Sequence, residues 1–221
     1  LQQIYWNNPI QKVSVNYNKL APFYGFISEI VFGKALTKST AVFMDRIPEN
    51  AKILVAGGGD GKILKDLFKT GKKFNILYCD SSNKMLNLAK KRDPFPSGQV
   101  DFLCKDAFTL NHQDLDCVIT PFFLDQFSNP DIERFLEKCH SYTSNSGMIL
   151  FTDFNKNPHG FMRHFHRLLI KSMYYFFALV VGLKQRTLPD FLNCFENTSW
   201  KLAEKWESNN GLLTSAVFRK M

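Results

Sequence analysis

From about residue 51 the chain alternates short β-favouring runs with amphipathic stretches, and it closes on two strand-like runs joined by Asn209-Asn210-Gly211. That alternation constrains the fold more than any other feature. Strands separated by helical segments pair in parallel and need covering helices on both faces. The strand-like runs are Ala51–Ala56, Phe74–Cys79, Val100–Cys104, Asp116–Thr120 and Met148–Thr152. Two more stand near Trp200–Glu207 and Leu212–Arg219, and Asn-Gly between them is a strong hairpin signal. A dinucleotide-binding dehydrogenase continues with further parallel units, whereas a terminal antiparallel hairpin marks a different variant. The expected fold class is therefore α/β. It is a Rossmann-like three-layer sandwich with a seven-stranded, mostly parallel sheet, a C-terminal antiparallel hairpin and extra N-terminal helices.

Helical segments fit between these strands. Residues 17–46 carry Phe23, Phe26, Ile27, Ile30, Val31 and Leu36 at helical spacing, with Gly25 and Gly33 as weak points. Further helices are expected over Gly61–Lys69, from Ser81 or Ser82 to Arg92, over Asp131–His140 and over Phe161–Val181. The 221 residues suit one domain. Its parts are an N-terminal helical cap (1–47), a core that holds a ligand (51–154), a lid helix region (155–190) and the hairpin (199–220).

Ligands of open α/β sheets bind beyond the carboxyl ends of the strands, so the loops there are read together. After the first strand comes Gly57-Gly58-Gly59-Asp60-Gly61. Glycines here allow positive φ and a close backbone approach, and the next helix aims free N–H groups at the same place. The spacing fails the dinucleotide pattern, since Lys62 or Leu64 stands where the last glycine belongs, and no Gly-Lys-Ser/Thr follows for a phosphate loop. Asp80 ends the second strand, where a carboxylate accepts the two hydroxyls of a ribose. Asp106, with Ala107 and Phe108, ends the third, within reach of an adenine edge; Phe108 or Met85 can cover the base.

These stretches resemble the class I S-adenosylmethionine-dependent methyltransferase superfamily. The similarity runs through Tyr17–Tyr24, Ile53–Gly61, Cys79–Ala89, Asp106–Phe108, Asp116–Thr120 and Ser146–Leu150. Within it, the chain is most similar to the methyltransferase type 11 branch of ubiquinone and menaquinone biosynthesis. The resemblance implies S-adenosyl-L-methionine as cofactor and S-adenosyl-L-homocysteine as product. It implies that Gly57, Gly58, Gly59, Asp60 and Gly61 approach the methionine part, that Asp80 with Ser81 takes the ribose, and that Met85 packs on the adenine. Asp106, Ala107 and Phe108 then meet the adenine edge, and Thr120 sits near the sulfonium. One departure stands out. The family carries Asp or Glu two residues before the first glycine, to hold the cofactor's amino group, and here that residue is Val55.

The acceptor is expected to be small and aromatic or hydrophobic, phenol- or quinol-like, because the chain holds 22 Phe and its lid regions are rich in them. Tyr17, Tyr24, Phe122 and Phe123 are candidates for its pocket. The sulfonium already activates the methyl group, so a weak base suffices, and His159, His164 and Asp125 are the catalytic candidates, with His166 and Asp153 nearby. Thr120-Pro121-Phe122-Phe123 departs from the Asn/Asp-Pro-Pro-aromatic motif of DNA amino-group methyltransferases, which argues against a base substrate. Two other readings stay open: an aminopropyltransferase of the spermidine synthase type, whose glycine turn is similar, and a non-enzymatic or RNA-binding module on the same fold.

The formal net charge is +8, and Arg163, Arg167 and Lys171 form one stripe on the long helix. That stripe suggests peripheral contact with an anionic membrane, while nucleic acid is the less favoured partner. Five cysteines without C-x-x-C spacing, three of them in or at the ends of expected buried strands, suggest free thiols and no metal site. No apolar run reaches the roughly 20 residues needed to span a bilayer. A cytoplasmic location is expected, peripheral at the inner membrane surface where the lid meets lipid.

Overall fold

A computed structural model describes residues 35–92, 99–208 and 210–221. Seven strands form one sheet: β1 (Ala51–Ala56), β2 (Phe74–Asp80), β3 (Val100–Cys104), β4 (Leu115–Pro121), β5 (Thr143–Phe154), β6 (Trp200–Ser208) and β7 (Leu213–Lys220). Their order is β3-β2-β1-β4-β5-β7-β6. The first five are parallel, and β7 runs antiparallel between β5 and β6. Strand order reverses between β1 and β4, and that switch point opens the crevice in which such sheets bind ligands.

The strict period of two explains the layering. Ile53, Val55, Ile76, Tyr78, Cys117, Ile119, Leu150 and Val217 face one apolar cluster, while Leu54, Ala56, Cys79, Val118, Ile149, Phe151 and Phe218 face the other. Helices α1 (Ala35–Ala41), α2 (Lys62–Lys69) and α3 (Asn83–Lys90) lie in the first half of the chain. Ile63, Leu64 and Leu67 of α2, with Leu86 and Ala89 of α3, fill the first cluster. The second is closed by α4 (Asn129–Tyr142), α5 (Arg163–Val181) and α6 (Phe191–Glu196). Burial on both faces is why β1 reads as an unbroken apolar run rather than an alternating one.

Several boundaries depart from the sequence reading. β5 begins at Thr143, five residues early, and α4 spans Asn129–Tyr142, because the helix runs straight into the strand with no polar break. The long helix starts at Arg163, two residues late, and ends at Gly182 in the left-handed conformation. The short helix α6 was not expected; Asp190 caps it by accepting from the Asn193 N–H. The expected helix over 17–46 is broken within the described part: α1 stops at Ala41, and a 3-10 turn covers Met44–Arg46. Residues 17–34, with Tyr17 and Tyr24, lie outside the described residues. Cys104 is exposed, unlike the other four cysteines, because β3 is an edge strand.

Candidate functional site

The glycine turn joins β1 to α2 at the carboxyl edge of the sheet. Gly57, Gly59 and Gly61 all have positive φ, at 67°, 66° and 88°. The four glycines face different surroundings. A methyl group on Gly57 would overlap the Phe123 ring, and one on Gly58 the Tyr78 ring. On Gly61 it would lie 2.7 Å from the Ala89 backbone. On Gly59 it would meet nothing within 4 Å. Three glycines are thus required by the protein's own packing. The fourth is a left-handed turn with free space in front of it.

The turn is pinned from below. The N–H groups of Gly57 and Gly58 donate to the Cys79 carbonyl, at 2.9 and 3.2 Å. The Tyr78 hydroxyl, fully buried, donates to the Gly58 carbonyl and lies 3.3 Å from that of Gly59. Burial pushes that phenol well above its ordinary range, so it remains a donor at any working pH. Sequence reasoning missed Tyr78. The available signal was its register opposite Val55 on the neighbouring strand.

Asp80 ties the second loop to the first. Its Oδ2 accepts the Gly59 N–H at 2.9 Å and its Oδ1 the Ser82 N–H at 2.8 Å. Burial raises its pKa, and these two donors oppose that shift. Each carboxylate oxygen has two acceptor sites, so both retain one for a ligand hydroxyl. Ser82 caps α3 by accepting the Met85 N–H at 3.3 Å, while Ser81 is exposed. Met85 is buried at the start of α3.

The other loop residues divide between ligand space and framework. Asp106 Oδ1 accepts the Phe108 N–H at 3.0 Å and opens a 3-10 turn over Ala107–Thr109. Phe108 is 2% exposed and packs on Phe127 and Phe135 with ring centroids 4.8 and 5.0 Å apart. It therefore belongs to the core, not to a ligand-covering surface. Phe123 joins the same aromatic cluster beneath Gly57. Asp60 is only 8% exposed, and Arg92 holds it with a 2.5 Å ion pair to Oδ2 and a second bond to its carbonyl. Asp60 is thus committed to Arg92 and does not replace the acid missing at Val55, which is fully buried between Tyr78 and Ile119. Thr120, at the end of β4, is fully buried, and its hydroxyl has no hydrogen-bond partner among the described residues.

On the acceptor side, β4 ends in Pro121 and Phe122 takes φ +51°. A left-handed aromatic residue is strained, and strain of this kind concentrates at functional sites. Phe122 is half-buried and packs on Phe154 at 5.4 Å. Two carboxyls follow. Asp153 is fully buried at the end of β5 and accepts N–H groups from Asp125, at 3.2 Å, and Phe154, at 2.8 Å. Burial pushes the Asp125 carboxyl up to about 7. Burial and the neighbouring Asp125 charge raise Asp153 well above the carboxylate range. Helix α5 docks beside them, with the Tyr174 hydroxyl donating to the Asp125 carbonyl at 2.8 Å.

The histidines stand elsewhere. His159 Nδ1 is 3.4 Å from Glu207, its N–H donates to the Asn210 carbonyl, and its ring fills the space a side chain at Gly211 would need. It pins the β6–β7 turn, three to four strand spacings or roughly 14–19 Å from β1. His164 is exposed on α5, and His166 is buried with burial lowering its pKa. Among the described residues no cluster of three or more His, Cys, Asp or Glu can hold a metal.

The open α/β sheet has order 3-2-1-4-5-7-6, with a glycine turn after β1 and a carboxylate after β2 at the crevice where doubly wound sheets bind ligands. Residues 53–147 match the family model described as a methyltransferase domain. That match covers less than half of the chain, and the fold is the Rossmann-like fold of S-adenosylmethionine-dependent methyltransferases. A carboxy-S-adenosyl-L-methionine synthase of Campylobacter hominis is 25% identical over 155 residues, 68% of this chain; the chain spans 65% of that protein's length. The fold is similar to a TehB-like methyltransferase of Corynebacterium glutamicum, with TM-score 0.61, 19% identity, 92% of this chain and 100% of that one. It is also similar to a 1,6-didemethyltoxoflavin N1-methyltransferase of Burkholderia thailandensis, solved with its substrate and S-adenosylhomocysteine. There the TM-score is 0.62 at 13% identity, over 97% and 93% of the two chains. S-adenosylmethionine fits the residues present. Gly59 has free space before it, Asp80 keeps spare acceptor sites, and α2 has no acid in its first turn, a set of groups compatible with that molecule.

Proposed function

We propose that the protein transfers the methyl group of S-adenosylmethionine to a small aromatic or hydrophobic acceptor of phenol or quinol type. The observation that carries this reading is the contrast within the glycine turn. Gly59 alone faces free space, and its N–H is fixed by Asp80, the group suited to a ribose. Bound S-adenosylmethionine supplies an electrophilic methyl group on a sulfonium. Gly57, Gly58, Gly59 and Gly61 form the floor for its methionine part; Asp80 holds the ribose; Met85, Asp106 and Ala107 frame the adenine; and Thr120 stands near the sulfonium. The buried, unpaired Thr120 hydroxyl supports that last placement.

Asp125 is the base. It is half-buried, it follows the strained Phe122 at the end of β4, and its pKa of about 7 leaves it able to take a proton near neutrality. Asp153 is the positioning residue, held by the Asp125 and Phe154 N–H groups. In the transfer, the acceptor oxygen or carbon gains the methyl group and its proton passes to an Asp125 carboxylate oxygen. Phe122 offers its ring to an aromatic acceptor, and Phe123 supports the turn from beneath. Tyr17 and Tyr24 complete the pocket in this reading, and the acceptor's oily character extends it to peripheral contact with a membrane. Incubation with methyl-labelled S-adenosylmethionine and a panel of phenols and quinols tests it, with mass spectrometry of both products. Methylated acceptor with S-adenosylhomocysteine is the expected result. A modified cofactor with unmethylated acceptor, or turnover of decarboxylated S-adenosylmethionine with putrescine, would overturn it.

A further inference from the structure

Helix α5 has two apolar sides. One packs on the core through Ile170 and Tyr174, with Leu169, Met173, Phe177 and Val180 partly buried beside them. The other faces solvent. Phe165, Leu168, Tyr175 and Leu179 are 56%, 66%, 65% and 70% exposed, and Phe161 just before the helix is 97% exposed. Steps of four, three, seven and four residues put them on one helix face, with Ser172 at the position between Leu168 and Tyr175. Isolated exposed apolar residues are ordinary, but four of them on one face of a 19-residue helix, interrupted only by Ser172, mark a contact surface.

Charge identifies the partner. Residues 154–189 contain six of the chain's Lys and Arg residues and no Asp or Glu, while the chain as a whole has 28 basic and 20 acidic side chains. On α5, Arg167 and Lys171 are one turn apart, exposed, and make no ion pair among the described residues. They lie along one flank of the exposed apolar stripe, with His164 in line one turn earlier. Lys184 and Arg186 follow the helix. An apolar stripe bordered by cations is the pattern of a helix lying in a lipid interface. Nucleic acid would use the cations and leave the apolar stripe in water; a second copy of this chain would bring like charge against like charge. Among the described residues no helix is long and apolar enough to cross a membrane.

We propose that the solvent-facing side of α5 docks on an anionic bilayer, with Phe165, Leu168 and Leu179 entering the acyl boundary and Arg167 and Lys171 on lipid phosphates. This deepens the membrane contact of the function proposed above and rests on that reading. The same helix holds Asp125 through Tyr174, so docking places the acceptor side of the sheet against the lipid.

Flotation of the full chain with vesicles tests the surface. Binding is expected to vesicles containing phosphatidylglycerol, at least about tenfold tighter than to phosphatidylcholine alone, and to weaken at high salt. Arg167→Gln with Lys171→Gln is expected to weaken it about thirtyfold, and Leu168→Ser with Leu179→Ser at least as much. Both variants alter exposed residues, and unchanged melting and unchanged S-adenosylhomocysteine titration show that they fold. No binding to the anionic vesicles, equal binding to neutral ones, or binding indifferent to both variants would overturn the proposal. So would tighter binding to a homopolymeric RNA, or self-association abolished by the same changes. Each of these leaves the cofactor titration, and with it the methyl-transfer reading, to be judged separately.

Discussion

The two ends of the crevice are built differently. At the cofactor end, the turn is tied at many points: Cys79 and Tyr78 hold it from beneath, Asp80 from beside, and Phe123 and Ala89 press against its glycines. At the acceptor end, a strained Phe122, two carboxyls and one face of α5 meet with few ties between them. The first arrangement makes a rigid cradle for one ligand. The second can change with the acceptor, because little of the fold depends on it.

Gly61→Ala breaks the rigid end hardest. It forces a side chain onto positive φ and against the Ala89 backbone, and stability is expected to fall by about 4 kcal/mol in urea unfolding. Gly59→Ala carries the same kind of φ and meets no neighbour, so it is expected to lose only about 1 kcal/mol of stability, yet to weaken cofactor binding. Similar losses of stability in the two variants would erase the distinction between framework and ligand-facing glycines.

Asp125→Asn breaks the acceptor end. Turnover is expected to fall about a hundredfold with cofactor affinity unchanged. In the parent protein, turnover should rise with pH through about 7 as the Asp125 carboxyl loses its proton. Stability moves the other way. A carboxyl whose folded pKa exceeds its unfolded value holds more protons in the folded state, so the contribution of Asp125 to stability falls as pH rises from about 4 to about 7 and is flat beyond, while Asp153 acts in the same direction at higher pH. Thermal melts of the Asn variant should show a smaller decline, the remainder coming from Asp153. An unchanged decline would place the titrating group elsewhere.

Tyr78→Phe has the smallest expected effect. It removes the hydroxyl that holds the Gly58 carbonyl and should cost about 1 kcal/mol, with a modest loss of cofactor affinity. A loss of affinity without a loss of stability would make Tyr78 a ligand contact instead of a strut.

The difference between the two ends also governs what could be read from the sequence. Positive-φ glycines, a carboxylate at a strand end, a serine before a helix and an Asn-Gly turn follow local rules, and the sequence shows them directly. The mostly parallel sheet and its antiparallel end follow from alternation and the terminal hairpin, whereas the insertion of β7 between β5 and β6 does not. What was hidden depends on the partner across space. Asp60 looks free in sequence, but Arg92, 32 residues on, holds it. Phe108 looks like a cover for an adenine and is core, because Phe123, Phe127 and Phe135 surround it. His159 looks like a base and pins a hairpin, because Glu207 and Gly211 come back to meet it. The β5 boundary was hidden for another reason: α4 passes into the strand with no turn residue between them.

The central claim is that S-adenosylmethionine lies across Gly59 with its ribose on Asp80. Titration calorimetry with S-adenosylhomocysteine on the parent chain and on Asp80→Asn measures it directly. The expected result is saturable one-to-one binding by the parent and about thirtyfold weaker binding by the variant, which corresponds to about 2 kcal/mol for hydrogen bonds to a charged acceptor. No binding by the parent, or equal affinity in the two proteins, would contradict it.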